Sequence, residues 1–188
     1  SFVDYIVRGH FNKSRLKNEI ALQEPFSSFT QLDNRCRALS MLYKGKTLGE
    51  LKVMLGIDND SKNIASRCVI QMFGTNCKKL NQITDFTKVG IVAKTVTITP
   101  SGKNTEDTKL KHIDFEEWAD RDTDFENSDI YTYFCEHSFL CPIFCEHNPQ
   151  DKSQTTFEGF KRFAFDEYFI EHEVRRTWED SRKLIHNN

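Results

Sequence analysis

Asp85-Phe86-Thr87-Lys88-Val89-Gly90-Ile91-Val92-Ala93-Lys94-Thr95-Val96-Thr97-Ile98 is the stretch whose reading decides the fold. Residues 89–98 are rich in β-branched side chains and run into the turn Thr99-Pro100-Ser101-Gly102, so they read as a strand. Side chains alternate along a strand, which puts Val92, Lys94 and Val96 on one face. A lysine among such apolar neighbours must reach solvent, a partner charge or a ligand. An edge strand with a snorkelling ammonium and a ligand-facing position are both open.

Upstream of that strand the pattern is helical. Phe29, Leu32, Cys36, Leu39 and Leu42-Tyr43 recur at steps of three and four, and Gly45 stops the run. Thr47 and Glu50 have the T-x-x-E spacing of a capping box ahead of Leu51, Met54 and Leu55, with Gly56 as the stop. A third helix is expected after Ser61, presenting Ile64, Cys68 and Met72 and ending at Gly74. Downstream, 138–146 and 156–165 read as two more strands joined by the polar stretch His147 to Gln154. Pro142 points to an edge or a bulge for the first of them. A long amphipathic helix closes the chain, with Ile170, Val174, Trp178 and Leu184-Ile185 as its apolar stripe. Glu171–Arg175 and Glu179–Lys183 are its i,i+4 pairs. Helices, strands, then a helix predict an α/β or α+β domain with a mixed sheet, counted as one domain over residues 1–188.

Composition narrows the function. A hydrophobic fraction of 38%, with 16 Phe, is enough for a core, and no run of residues is long and apolar enough to span a bilayer. The net charge of −2 excludes a polycation, so affinity for nucleic acid must come from local basic clusters. Lys78-Lys79, Lys103, Lys109 with Lys111, Lys161-Arg162 and Arg175-Arg176 are such clusters, or else ordinary solvated charge. The six cysteines lack a signal-peptide layout ahead of them and read as reduced thiols of a cytoplasmic protein. Sequons at Asn12 and Asn59 are short enough to arise by chance.

Two constellations bear on chemistry. Cys135-Glu136-His137 and Cys141 to His147 hold the atom types of a zinc site. However, the cysteines alternate with Phe139, Leu140, Ile143 and Phe144 in a strand pattern, which favours small core residues over a metal knuckle. The other is Asp85 with Lys94. Metal-dependent nucleases place an acid ahead of a Glu-x-Lys strand, so that two carboxylates hold Mg²⁺ and the ammonium supports the attacking water. Here the glutamate position is Val92, which cannot ligate a cation.

Asp85-x₆-Val92-Ala93-Lys94-Thr95, continuing through Gly102-Lys103 to Glu106, resembles the D-x₆-E-L-K-T…G-R/K-x-x-E stretch of MutH-type endonucleases. Phe139 to Phe144 resembles that family's apolar strand, and Arg175-Arg176-Thr177-Trp178-Glu179-Asp180 resembles its R-x-D-W-E helix. The similarity spans roughly residues 45–185 and is strongest to the second, non-catalytic MutH-like domain of Sau-type, GATC-cutting type II restriction endonucleases. The resemblance implies a restriction-endonuclease-like fold, with a central mixed sheet flanked by helices. It implies a domain that binds GATC duplex DNA as an effector for a catalytic domain of the same polypeptide, making this chain a portion of a two-domain enzyme. Asp85, Val92 and Lys94 would be vestigial motif positions, and Lys94, Lys103, Lys78 and Lys79 would contact DNA phosphates. No metal is expected in this domain, and Mg²⁺ would serve the parent enzyme's catalytic domain. Besides Val92, the helix from Ile64 to Phe73 lacks the acid that the family places there. An active Mg²⁺-dependent nuclease using displaced acids such as Glu106, Asp107 or Glu117, and an interaction domain without DNA contact, are the competing expectations.

Overall fold

A computed structural model describes residues 26–58 and 63–187. Ser61 and both sequons at Asn12 and Asn59 lie outside the described residues. The described chain divides into two compact units. The first takes in the residues up to Thr108 together with Leu140–Arg162, and the second Lys109–Phe139 together with the residues from Phe163 onward. No described helix is long and apolar enough to cross a membrane.

The first unit opens with three helices, α1 (Phe29–Tyr43), α2 (Leu48–Leu55) and α3 (Ile64–Met72). Their ends follow local chemistry. Ser28 Oγ accepts the Gln31 amide at the start of α1. At α2, Thr47 Oγ1 accepts the Glu50 amide at 3.2 Å while Glu50 Oε2 accepts the Thr47 amide at 2.9 Å. Both donors would otherwise be left over at a helix start. Gly56 closes α2 in the left-handed region, at φ +66°, where a side chain would be strained. Thr47→Ala removes a cap acceptor and is expected to cost about 1 kcal/mol, read as a lower urea midpoint with an unchanged slope.

A short helix α4 (Thr84–Lys88) leads into β1 (Ile91–Ala93) and β2 (Val96–Ile98). Strands β3 (Ser138–Cys145) and β4 (Thr156–Phe163) complete a four-stranded mixed sheet in which β3 pairs with all the others. The mixed α/β class is as expected, but the predicted strand 89–98 is broken into two pieces, and Pro142 is buried in the central strand rather than at an edge. The register explains both departures. β2 runs parallel to β3 with Val96 opposite Ile143 and Ile98 opposite Cys145. The Lys94 amide donates to Leu140 O at 3.0 Å, and the Glu146 amide to Ile98 O at 2.8 Å. In that parallel ladder the amide of residue 142 would donate to the carbonyl of Lys94, and proline has no N–H to give. The ladder therefore lapses at Lys94-Thr95, and the sheet tolerates a central proline because its partner strand is interrupted beside it.

The core of this unit is aromatic and aliphatic. Phe86 lies 5.1 Å from Phe73 and 5.9 Å from Phe26 between ring centroids, and Phe73 also meets Phe160 edge-on. Helix α1 packs on β4 where Gly159 approaches Ser40: a Cβ there would lie 3.2 Å from the Ser40 hydroxyl. Asp33 on α1 receives two bonds, of 2.9 and 2.8 Å, from Arg162 on β4, and this guanidinium holds the Asp33 carboxyl below its usual range.

The second unit holds α5 (Phe115–Ala119), α6 (Asp129–Glu136) and a closing helical run. That run is α7 (Glu167–Phe169), a π-helical turn (Ile170–Val174) and α8 (Arg175–His186). Ile170, Val174 and Trp178 are buried as expected, whereas Leu184 is exposed. Arg175 bonds Glu171 at 2.6 Å as predicted and also Glu126, with its guanidinium over the Phe125 ring. Lys183 pairs with Asp180, three residues back, rather than with Glu179.

Candidate functional site

The break between β1 and β2 is also where the first unit opens a cavity of about 570 Å³. Ala93, Lys94 and Thr95 line it together because the chain leaves its ladder there. Thr95 Oγ1 hydrogen-bonds Ser66 Oγ at 2.9 Å, tying the break to the first turn of α3. Asn63, Ile64 and Ala65, at the amino end of that helix, face the same space.

A hairpin builds a further wall. The Gly102 amide donates to Thr99 O at 2.9 Å, Thr99 N to Lys103 O at 2.8 Å, and Thr105 N to Thr97 O at 3.0 Å. The chain thus reverses at Pro100-Ser101 and returns alongside β2, which brings Thr105 and Glu106 to the cavity and leaves Lys103 exposed near the tip. The connection from β3 to β4 contributes Glu146, Pro149, Lys152 and Thr155. Leu48, Ile64, Leu80 and Ala93 give the cavity an apolar component beside these polar groups.

The residues singled out from the sequence are placed unevenly. Lys94 lines the cavity and is half-buried. Asp85 does not: it sits on helix α4 instead of a strand, with its carboxylate 3.8 Å from Lys88 Nζ, and its charge also acts on Arg35. Val92 is half-buried on β1 and is not part of the lining either. The structure therefore brings neither Asp85 nor Val92 to the cavity where it places Lys94. Lys78 and Lys79 are exposed, and both of their amides donate to Gln82 Oε1, at 3.1 and 3.0 Å. Glu106 reaches the cavity, whereas Asp107 does not line it.

Glu117 belongs to a separate cluster in the second unit. Its Oε1 accepts the Asp129 amide at 2.7 Å, and Asp129 Oδ2 lies 2.6 Å from Lys111 Nζ. Burial and the hydrogen bond shared with Asp129 push the Glu117 carboxyl up. Burial also acts to raise Asp129, but the bonds to Lys111 and Glu117 outweigh it and hold that group down. Of the two acids Glu117 is thus the easier to protonate, while Asp129 is paired with a lysine of its own unit.

The cysteines do not assemble into a knuckle. All six are free thiols, with Cys145 buried, Cys141 half-buried and Cys135 exposed. Burial pushes Cys36 and Cys68 up to about 12, which makes them inert core residues at neutral pH. Among the described residues, no group of three or more His, Cys, Asp or Glu side chains could hold a metal ion.

Glu146 and Lys152 escaped the sequence reading. The signal for Glu146 was its position at the end of a strand beside the Lys94 strand, legible only with the register known. Lys152 lies in the polar connection and carries no local pattern. No protein-family model matches the chain, and no curated protein is significantly similar to it.

Proposed function

We propose that this chain is a DNA-binding domain of the restriction-endonuclease-like, MutH type, acting as a non-catalytic effector of a type II restriction endonuclease that recognises GATC-type duplex sites. The observation that carries the reading is the state of the nuclease motif. Its lysine, Lys94, lines a polar cavity, while the position of its central carboxylate is Val92. The motif's aspartate, Asp85, is engaged by Lys88 away from that lining. A valine and a diverted aspartate do not fit Mg²⁺, which needs oxygen ligands at near-octahedral angles. No cutting step is assigned to these residues.

In this reading Lys94, Lys103, Lys78 and Lys79 contact phosphates, which sets register without reading sequence. Mg²⁺ and cleavage belong to a catalytic domain of the same polypeptide, and the protein works in the cytoplasm. One observation favours the rival reading of an active nuclease: Glu106 shares the cavity with Lys94, together with Glu146.

The experiment is a combined binding and nicking assay on GATC duplex with Mg²⁺. Retention of the duplex without strand cleavage is the expected result. Robust nicking that disappears in Glu106→Ala would establish the rival, and absence of any retention at about 50 mM salt would remove DNA from the account.

A further inference from the structure

We infer that the cavity beside Lys94 is a nucleotide site, taking one unstacked nucleotide whose base carries an exocyclic amino group. The inference rests on the DNA-binding reading and names what occupies the cavity. Its volume of about 570 Å³ matches a small-ligand site rather than a groove that tracks a duplex. Its lining also has the mixed character that a nucleotide requires. Leu48, Ile64, Leu80 and Pro149 offer apolar contact for the faces of a heterocycle, and Lys94 and Lys152 supply cations for its phosphate.

Glu106 and Glu146 make the choice of base. A carboxylate repels phosphate, so two of them in the lining of a cavity that takes a nucleotide favour contact with the part of it that donates hydrogen bonds. The part of a nucleotide that donates most strongly is an exocyclic amino group, as in the pairing of acidic side chains with cytosine N4. Adenine, cytosine and guanine all carry such an amino group, and in adenine and cytosine it stands beside ring-nitrogen acceptors that the Thr97 hydroxyl and the Asn63 amide can meet. Thymine instead presents carbonyl oxygens to the carboxylates. A base reaches such a site only when extruded from its stack, as in enzymes that act on single bases.

The test uses the intact chain with two probes. The first is GATC duplex carrying 8-vinyladenine in place of the adenine, which keeps the 6-amino group and whose fluorescence rises on unstacking. The second is deoxyadenosine monophosphate against thymidine monophosphate. A several-fold fluorescence rise at saturation and an affinity for the adenine nucleotide about tenfold higher are expected. Glu106→Ala with Glu146→Ala should erase that preference while leaving the far-ultraviolet dichroism intact. Equal affinity for the two mononucleotides overturns the inference without need of any variant. A saturated duplex with no fluorescence rise also overturns it, and leaves the DNA-binding reading standing. Discrimination between mononucleotides with no duplex retention does the reverse.

Discussion

Phe86→Ala is expected to lower the stability of the first unit by about 3–5 kcal/mol, the cost of emptying a buried aromatic site. Phe86 is fully buried, and its ring is held by Phe26 and Phe73 at centroid distances of 5.9 and 5.1 Å. Three rings in mutual contact cannot all shift to fill the hole, so most of the cavity term persists. The loss is a large share of the roughly 5–15 kcal/mol that holds a typical domain together. Amide exchange of residues 68–72 on α3 reads the change directly. Both tryptophans, Trp118 and Trp178, belong to the second unit, so their fluorescence follows that unit separately. Met41→Ala and Val53→Ala are the controls: both side chains are exposed, and each change should stay within about 0.5 kcal/mol. A loss below about 1 kcal/mol for Phe86→Ala would mean that this aromatic cluster is not the core. Phe86 also neighbours Asp85 on a five-residue helix, so the same variant should loosen the segment that holds the motif's aspartate.

How much of this was legible depends on whether a feature is local. The α1 and α2 ends and their glycine stops follow from residues three or four apart, and the structure has them where the spacing puts them. The α5 and α6 helices were not read from the sequence although each has a cap: Asp114 accepts two amides and Ser128 accepts the Tyr131 amide. They are too short for a periodic stripe to stand out from the charged residues around them. The π-helical turn at Ile170–Val174 leaves the buried Ile170, Val174 and Trp178 at the steps an unbroken helix would show, so spacing alone does not reveal it. The break at Lys94-Thr95 is the most instructive miss. Pro142 was visible as an anomaly in a strand, but which neighbour would lose a hydrogen bond depends on the register, which pairs residues 47 apart. The same gap hides the cavity. Lys94 was legible from its own strand, whereas Glu146 and Lys152 join it only through pairing between distant segments.

Changing Lys78, Lys79, Lys94 and Lys103 together to alanine should remove most of the duplex affinity and flatten its dependence on salt. The net charge of −2 means that no general cationic field draws DNA in, so whatever binding occurs must come from a few placed ammonium groups. Each phosphate neutralised contributes about −0.9 to the slope of log affinity against log salt, so four contacts give a slope near −3.6. Raising salt from about 50 to 200 mM should then weaken the unmodified chain by roughly 150-fold. Each single alanine should reduce the slope by about one while weakening GATC and non-GATC duplexes alike, because phosphate contacts carry no sequence information. All four lysines lie in the first unit, with Lys78, Lys79 and Lys103 exposed, so their removal leaves its aromatic core untouched. A slope that stays near its original value in the quadruple variant would assign these lysines to ordinary solvated surface and move any DNA contact elsewhere. A single variant that weakens GATC duplex but spares others would instead mark that lysine as reading a base edge.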